Sequence, residues 1–423
     1  FLGAGMLSGI SAQVSPLQVD TLKETKIPDQ WDLQSCIDYA KEQNITIRKN
    51  RITAASTQID VKTAKAAMFP SLSFSTSQQV VNRPYQETSS RVSGNEIISS
   101  NSKTSYNGNY GLNASWTLYN GNKRLKTIQQ EKLNNQMAEL DVATSENNIQ
   151  ESIAQVYIQI LYAAESVKVN ENTLQVSIAQ RDRGQELLNA GSIAKSDLAQ
   201  LEAQVSTDRY QLVTAQATLE DYKLQLKQLL ELDGENEMNV YLPALSDENV
   251  LLPLPTKKDV YMSALTLRPE IEASKLSVEA SELGIDIAKA GYLPTISLSA
   301  GIGTNHTSGS DFTFGEQVKN GWNNSIGVSV SVPIFNNRQT KSAVQKAKLQ
   351  RETSLLSLLD EQKTLYKTIE GLWLDANSAQ QRYAAANEKL RSTQISYDLI
   401  SEQFNLGMKN TVELLTEKNN LLN

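Results

Sequence analysis

The 423 residues carry 40 Lys and Arg against 47 Asp and Glu, a net charge of −7 spread along the chain without a basic block, which excludes a phosphate backbone as partner. With 39% hydrophobic and 6% aromatic residues, the chain is thinly supplied with core for its length. A single cysteine and a single histidine allow no intrachain disulfide and leave almost nothing from which to build a histidine-based catalytic or metal centre.

The chain opens on FLGAGMLSGISAQ, small and apolar like the tail of a secretory signal peptide. Residues 1–12 are read as that remainder, with cleavage near Ala12, and 13–30 as an N-terminal extension. The segment 32–67 has a helical pattern containing Cys36, read as a small packing residue; no apolar signal segment ends just before it, so it does not look lipid-modified. Helix passes into strand at AAMFPSLSFSTS (66–77), giving a first strand over about 71–82 with a weak pattern from Leu72, Phe74 and Val80. After a polar loop (83–104), the even positions from Tyr106 to Leu118 read Tyr, Gly, Tyr, Leu, Ala, Trp, Leu, while the odd ones are Ser, Asn, Gly and Thr. This period of two marks a strand over 105–119.

From Lys123 to Arg183 there is neither proline nor glycine, so one helix is expected over 122–188, ~100 Å long at ~1.5 Å per residue. Ile149, Ile153, Val156, Ile160, Ala163, Val167, Asn170 and Leu174 recur along it at spacings of four and three, a heptad seam interrupted at Asn170. A glycine turn at Gly191 leads to a returning helix over 196–231, whose own seam from Leu201 to Leu229 is broken at Asp208. Residues 232–257, rich in Pro and turn formers, read as an irregular connector.

The same order then recurs. AAMFPSLSFSTS returns as AGYLPTISLSAG (290–301), Pro294 lying 224 positions after Pro70. WTLYNGNKR (116–124) matches VPIFNNRQT (332–340), and LLNAGSIAKSDL (187–198) matches QFNLGMKNTVEL (403–414), both 216 positions on. The difference falls where the loop 83–104 is longer than its counterpart 305–321, which contains His306. The second repeat (258–423) therefore holds a helix, strands over about 294–304 and 322–335, a long helix over 337–404 with a seam from Leu365 to Leu390, a tip at Gly407, and a last helix shorter than its counterpart, read as truncated or processed.

Alternating strands usually mean a soluble sandwich with one wet face. Here four strands are too few for two packed sheets, and the polar face is small and almost uncharged, which suits the wall of a lumen. About ten residues per strand also matches the ~9 to 11 that a tilted membrane strand needs. No stretch of 18 apolar residues exists for a transmembrane helix. Four strands in lipid would leave two open edges at several kcal/mol per unpaired backbone group, so strands must be pooled between subunits. Two copies would give a filled interior; three give twelve strands and an open passage, which we favour. Trp116, Tyr119 and Phe335 at strand ends are candidate membrane-interface aromatics, although ordinary packing accounts for each equally well.

Gly191 and Gly407 are each followed six residues later by an acid and a leucine, Asp197 with Leu198 and Glu413 with Leu414. Helix capping and the dipole of the next helix account for these residues structurally. The functional reading adds that two similar tips per subunit form a repeated docking surface and the mouth of a tunnel, with Glu413 and Glu417 as candidates for an acidic ring.

With its paired PSLSFS and PTISLS strands, its LYNG and IFNN turns into long helices and its G-x5-[DE]-L tips, the chain resembles the TolC-like outer membrane efflux protein family over nearly its whole length. The resemblance implies a mainly α fold with a four-stranded transmembrane β contribution, internally duplicated, assembled as a homotrimer whose 12-stranded β-barrel is continuous with a long periplasmic α-helical barrel. It implies residence in the bacterial outer membrane, contact with outer-membrane lipid, a periplasmic adaptor (membrane fusion) protein, and an inner-membrane transporter such as an RND or ABC pump. It also implies that the positions Gly191, Asp197, Leu198, Gly407, Glu413 and Leu414 serve adaptor contact and gating. In some relatives a second acid follows the one matching Glu413 by three residues; Thr416 stands there, which argues against a two-layer acidic constriction. The expected activity is a passive conduit with no catalytic residues, cofactor or metal, since no G-x-S-x-G, P-loop or metal-ligand spacing occurs. The alternative is a periplasmic coiled-coil scaffold without a pore, which would be extracted without detergent. Neither reading names the cargo.

Overall fold

A computed structural model describes residues 28–85, 89–93, 96–100, 103–233, 238–243, 250–308, 310 and 312–422. The signal-like residues 1–12, most of the extension 13–30 and parts of the connector 232–257 lie outside these. In chain order the elements are α1 (Leu33–Gln43), α2 (Ile45–Ala66), β1 (Ser71–Asn82), β2 (Ser89–Ser93), β3 (Glu96–Ser100), β4 (Thr104–Asn120), α3 (Lys123–Asn189), α4 (Lys195–Leu229), α5 (Lys257–Leu267), α6 (Pro269–Lys289), β5 (Thr295–Thr307), α7 (Phe314–Asn320), β6 (Asn323–Ser331), α8 (Gln339–Asn405) and α9 (Thr411–Leu422). The long helices α3 and α8 are 67 residues each, as uninterrupted helix-forming sequence allows.

Several expectations are corrected. The expected helix over 32–67 is two helices, because Asn44 ends α1 and its side chain then accepts the Thr46 N–H (2.9 Å) that opens α2. The helix expected from 258 is likewise divided at Arg268, where Pro269 cannot continue α5 but suits the first turn of α6. The polar loop 83–104 contains a hairpin, β2 with β3, so the described strands number six, four of them in one sheet. The loop 305–321 contains α7, and His306 lies within β5. The strand expected over 322–335 stops at Ser331, because Pro333 has no N–H for the ladder; Val332, Ile334 and Phe335 lie beyond it.

The chain divides into two compact units. The first comprises 1–48, 146–252 and 380–423. One of its cores gathers Trp31, Cys36, Ile37 and Ala40 against Ile153, Tyr157 and Ile160 of α3 and Leu226 and Leu230 of α4. Here the expected seam of α3 is buried, each large side chain contributing ~1.5–3 kcal/mol. A short parallel bridge joins Trp31 to Val240, and the Tyr157 hydroxyl donates to the Tyr241 carbonyl (2.6 Å). Burial pushes the Cys36 thiol up to about 12, as suits an inert packing residue.

The second unit comprises 49–145 and 253–379 and contains the antiparallel sheet, ordered β1-β4-β5-β6. Arg124, in the first turn of α3, ties this unit's helices to the sheet: its guanidinium donates to the Ala67 carbonyl (2.7 Å) and to the Thr117 carbonyl of β4. The two strand-to-long-helix turns share one backbone form. Gly121 and Asn122 have φ of 66° and 63°, and their counterparts Asn337 and Arg338 have 50° and 64°. The duplication thus extends to paired left-handed residues, a conformation that Gly and Asn tolerate best.

Candidate functional site: two hairpin tips and a two-faced sheet

At the first tip α3 ends in a glycine cap. Gly191 has φ +74°, its N–H donates to the Leu188 carbonyl (2.9 Å) and the Ser192 N–H to the Leu187 carbonyl (2.8 Å). The second tip repeats this: Gly407 also has φ +74°, its N–H donates to Phe404 (2.9 Å) and the Met408 N–H to Gln403 (2.9 Å). The acids then cap the next helices. The Asp197 carboxylate accepts the Ala194 N–H (3.0 Å). The Glu413 carboxylate accepts the Asn410 N–H (3.3 Å) while the Asn410 side chain accepts the Glu413 N–H (2.9 Å), a reciprocal capping box. The leucines turn inward: Leu198 and Leu414 are buried, Leu414 in a core with Leu187, Leu201 and Phe404.

Neither candidate mouth acid is free-standing. Lys409 pairs with Glu413 (2.6 Å), and Glu417 accepts the Ser396 hydroxyl (3.0 Å). The Lys409 ammonium, and next the Asn410 N–H, hold the Glu413 carboxyl below the usual carboxylate range. A depressed folded value means that the cap is present above the ordinary glutamate range and is lost as pH falls through the lowered value. Protection of the first-turn amides of α9, taken relative to their intrinsic exchange rate at each pH, is therefore expected to fall as pH drops below the ordinary value of 4.5, and Glu413→Gln should remove that step. An unchanged pH profile in the variant would dismiss the cap.

A buried polar cluster near the tips escaped the sequence reading. Asp208 of α4 and Lys418 of α9 are 1% and 3% exposed and pair at 2.6 Å. The Ser177 hydroxyl of α3 donates to Asp208 and accepts from Lys418, while Gln204 donates to the other carboxylate oxygen (2.8 Å). Three helices of the two hairpins thus meet on one satisfied charge pair. Its sequence signal was the break in the α4 seam at Asp208.

The sheet is the second feature. β1, β4, β5 and β6 contain no Asp, Glu, Lys or Arg. Register places Phe74, Leu112, Ile302 and Asn324 in one row, and Leu72, Ala114, Ala300 and Ile326 in the next, all on one face. Ser75, Gly111 and Gly303, and Ser73, Asn113, Gly301 and Ser325, form the corresponding rows on the other. The apolar face is open to solvent, with Leu72 70%, Phe74 68%, Ile326 79% and Val328 64% exposed. Among the described residues β1 and β6 each pair on one side only. Of the candidate interface aromatics, Trp116 lies on the apolar face and its indole N–H donates to the Met68 carbonyl (2.8 Å). Tyr119 sits just past a bulge in β4, and Phe335 is an exposed residue of the turn after β6. No described helix is long and apolar enough to cross a membrane.

Sequence comparison matches residues 36–231 and 260–423 to the model of the outer membrane efflux protein family, most of both repeats. The chain belongs to the outer membrane efflux protein family. Relatives within reach of sequence include outer membrane efflux protein BepC of Brucella suis biovar 1 (25% identical over 279 residues, 66% of this chain and 58% of BepC). Outer membrane protein TolC of Escherichia coli K12 is 25% identical over 285 residues, 64% of this chain and 55% of TolC. The chain thus spans little more than half the length of these two family members. A crystal structure of CusC superimposes with a TM-score of 0.76 at 20% identity, covering 92% of this chain and 86% of that one, which establishes the family fold.

Proposed function

We propose that the chain is the channel subunit of a tripartite efflux or export system of the bacterial outer membrane: a passive conduit from periplasm to exterior, gated at its helical tips. The observation that supports this most strongly is the charge-free sheet with an exposed apolar face, a small-residue face and two edges that are unpaired among the described residues. In water such a sheet is an aggregation hazard; in lipid its apolar face is solvated, and pairing β6 of one copy with β1 of the next removes the edges. Three copies give twelve strands and an open lumen lined by Ser, Gly and Asn. The conduit itself hydrolyses nothing. A periplasmic adaptor and an inner-membrane pump supply direction, and they open the mouth by binding the open tips better than the closed ones. The matched turns at Gly191 and Gly407 offer that adaptor two similar surfaces per subunit, with Asp197, Leu198, Glu413 and Leu414 shaping them.

Sedimentation of native outer membranes followed by size measurement in detergent tests the proposal, the expected result being recovery with the membranes as a trimer. Recovery as a soluble monomer or dimer would favour a periplasmic scaffold instead. In planar bilayers, Glu413→Gln should alter ion selectivity if Glu413 lines the mouth, although Lys409 already offsets part of its charge. Unaltered selectivity removes Glu413 from an acidic ring, and Glu417→Gln puts the same question to Glu417.

A further inference from the structure

The connector between β5 and β6 does not hang free. Thr304 of β5 donates its hydroxyl to the Val318 carbonyl of α7 (2.7 Å), and the Gln317 side chain accepts the Thr307 N–H (2.8 Å). Phe314 sets its ring edge on His306 at 5.0 Å, and His306 in turn stacks on Tyr110. Thr304 and His306 are in phase with Ile302, Ala300 and Leu298, so by the period of two α7 lies on the apolar face of the sheet. Gly108 makes the seat possible, since a Cβ there would meet the His306 ring at 2.3 Å. With α7 in place, Phe312 (49%), Phe314 (57%) and Trp322 (57%) remain exposed, and Lys319 is exposed beside them.

These aromatics gather at one end of the apolar face. At the other end stands Trp116; the rows next to it are Leu72, Ala114, Ala300 and Ile326, then Phe74, Leu112 and Ile302 with Asn324, and toward α7 the face turns mixed, with Thr76, Tyr110 and Thr304, then Gln78, Gly108 and His306. On β4, Tyr106 and Trp116 are ten residues apart, roughly 34 Å along a strand at ~3.4 Å per residue. Tilted by ~35–45°, that spans about 24–28 Å, close to the ~25 Å apolar band of an outer-membrane barrel. The α2, α3 and α6 junctions all occur at the Trp116 end, so the α7 end is the outward one under the channel reading, on which this inference rests.

We propose that the β5–β6 connector is a lipid-docking element: α7 lies on the lipid side of the barrel wall, outside the passage, and seats Phe312, Phe314 and Trp322 in the outer-leaflet headgroup layer. Aromatic rings favour that layer because it is apolar on one side and wet on the other, and the exposed Lys319 ammonium complements the phosphates there.

The test is Trp fluorescence of the full chain in phosphatidylcholine vesicles whose acyl chains carry bromine either high, near the headgroups, or low, near the bilayer centre. Of the four tryptophans, Trp116 and Trp322 belong to the sheet region, so Trp322→Phe should remove about half of the emission quenched by the high bromines. Low bromines should quench Trp322 less, and aqueous iodide only weakly. Free quenching of Trp322 by iodide without bromolipid quenching would place the connector in water and overturn the inference. Shielding from both quenchers would mean that another protein subunit covers it, which also overturns it. Trp116→Phe is the control: if it removes no bromolipid quenching either, the membrane reading of the whole sheet fails, whereas loss at Trp116 alone refutes only the α7 assignment.

Discussion

Phe74→Arg is expected to keep the protein out of the outer membrane, while Ser75→Arg, one residue on, is expected to leave insertion intact and change what the passage admits. The two side chains leave β1 on opposite faces. Phe74 lies in a row with Leu112 and Ile302, near the middle of the apolar band and 68% exposed, so an arginine there is held in hydrocarbon at ~2–4 kcal/mol per copy. In the proposed trimer that cost recurs three times in one barrel. Ser75 belongs to the opposite row with Gly111 and Gly303, where the Asn113 amide reaches it at 3.4 Å. In the proposed trimer a cation there faces the wet lumen, and a ring of three should turn conductance toward anions. Measurement needs only the amount of each variant in sedimented outer membranes and bilayer reversal potentials. If Phe74→Arg inserted normally, the apolar face would not be the lipid face; if Ser75→Arg left selectivity unchanged, the small-residue face would not line the passage.

The second large effect is expected at Lys418. Lys418→Met leaves the Asp208 carboxylate buried without its partner, a change that typically costs about 3–5 kcal/mol. Because α9 is only 12 residues long and is held to α3 and α4 at this point, the loss should appear locally, as amide exchange in α9 faster by roughly two to four powers of ten. The double variant Asp208→Leu with Lys418→Met removes both charges and leaves only the neutral Ser177 hydroxyl and Gln204 amide without partners, so much of the protection should return. A single variant with unchanged exchange would show that the pair does not hold the hairpins, and a double variant as poor as the single one would show that charge imbalance was not the cause. Ser177→Ala should have a smaller effect, since the ion pair stays in place and only its shared hydroxyl is lost.

Much of this protein follows from periodicities that a chain displays without folding. Period two from Tyr106 to Leu118 sorts lipid-like from small residues, and the heptads of α3 mark its buried seam at Ile153 and Ile160. The 216-residue offset predicts that Gly407 repeats Gly191, and the two turns have the same φ. Element ends that depend on one residue's backbone chemistry were less legible. Asn44 splits a helix by capping, Pro333 stops β6 early, and β2 and β3 (SSRVS and EIISS) carry too few apolar residues to stand out from a polar loop.

The sequence by itself therefore determined the family, the duplicated order of helix and strand, the two faces of the sheet and the paired glycine turns, because each is written in residues close together or at a constant spacing. Only the tertiary structure decided which polar residues meet. Asp208 showed in the sequence as a flaw in a seam, but its partners Ser177 and Lys418 lie 31 and 210 positions away, and no periodicity links them. In the same way α7 opens on a capping box of Thr313 and Glu316 inside a stretch that reads as a loop, and its seat on the apolar face depends on Thr304 and His306 of a neighbouring strand. Local spacing fixes which way a side chain points along its own element; what it touches depends on how distant elements pack, and that is set by the whole chain's burial of apolar surface and pairing of polar groups.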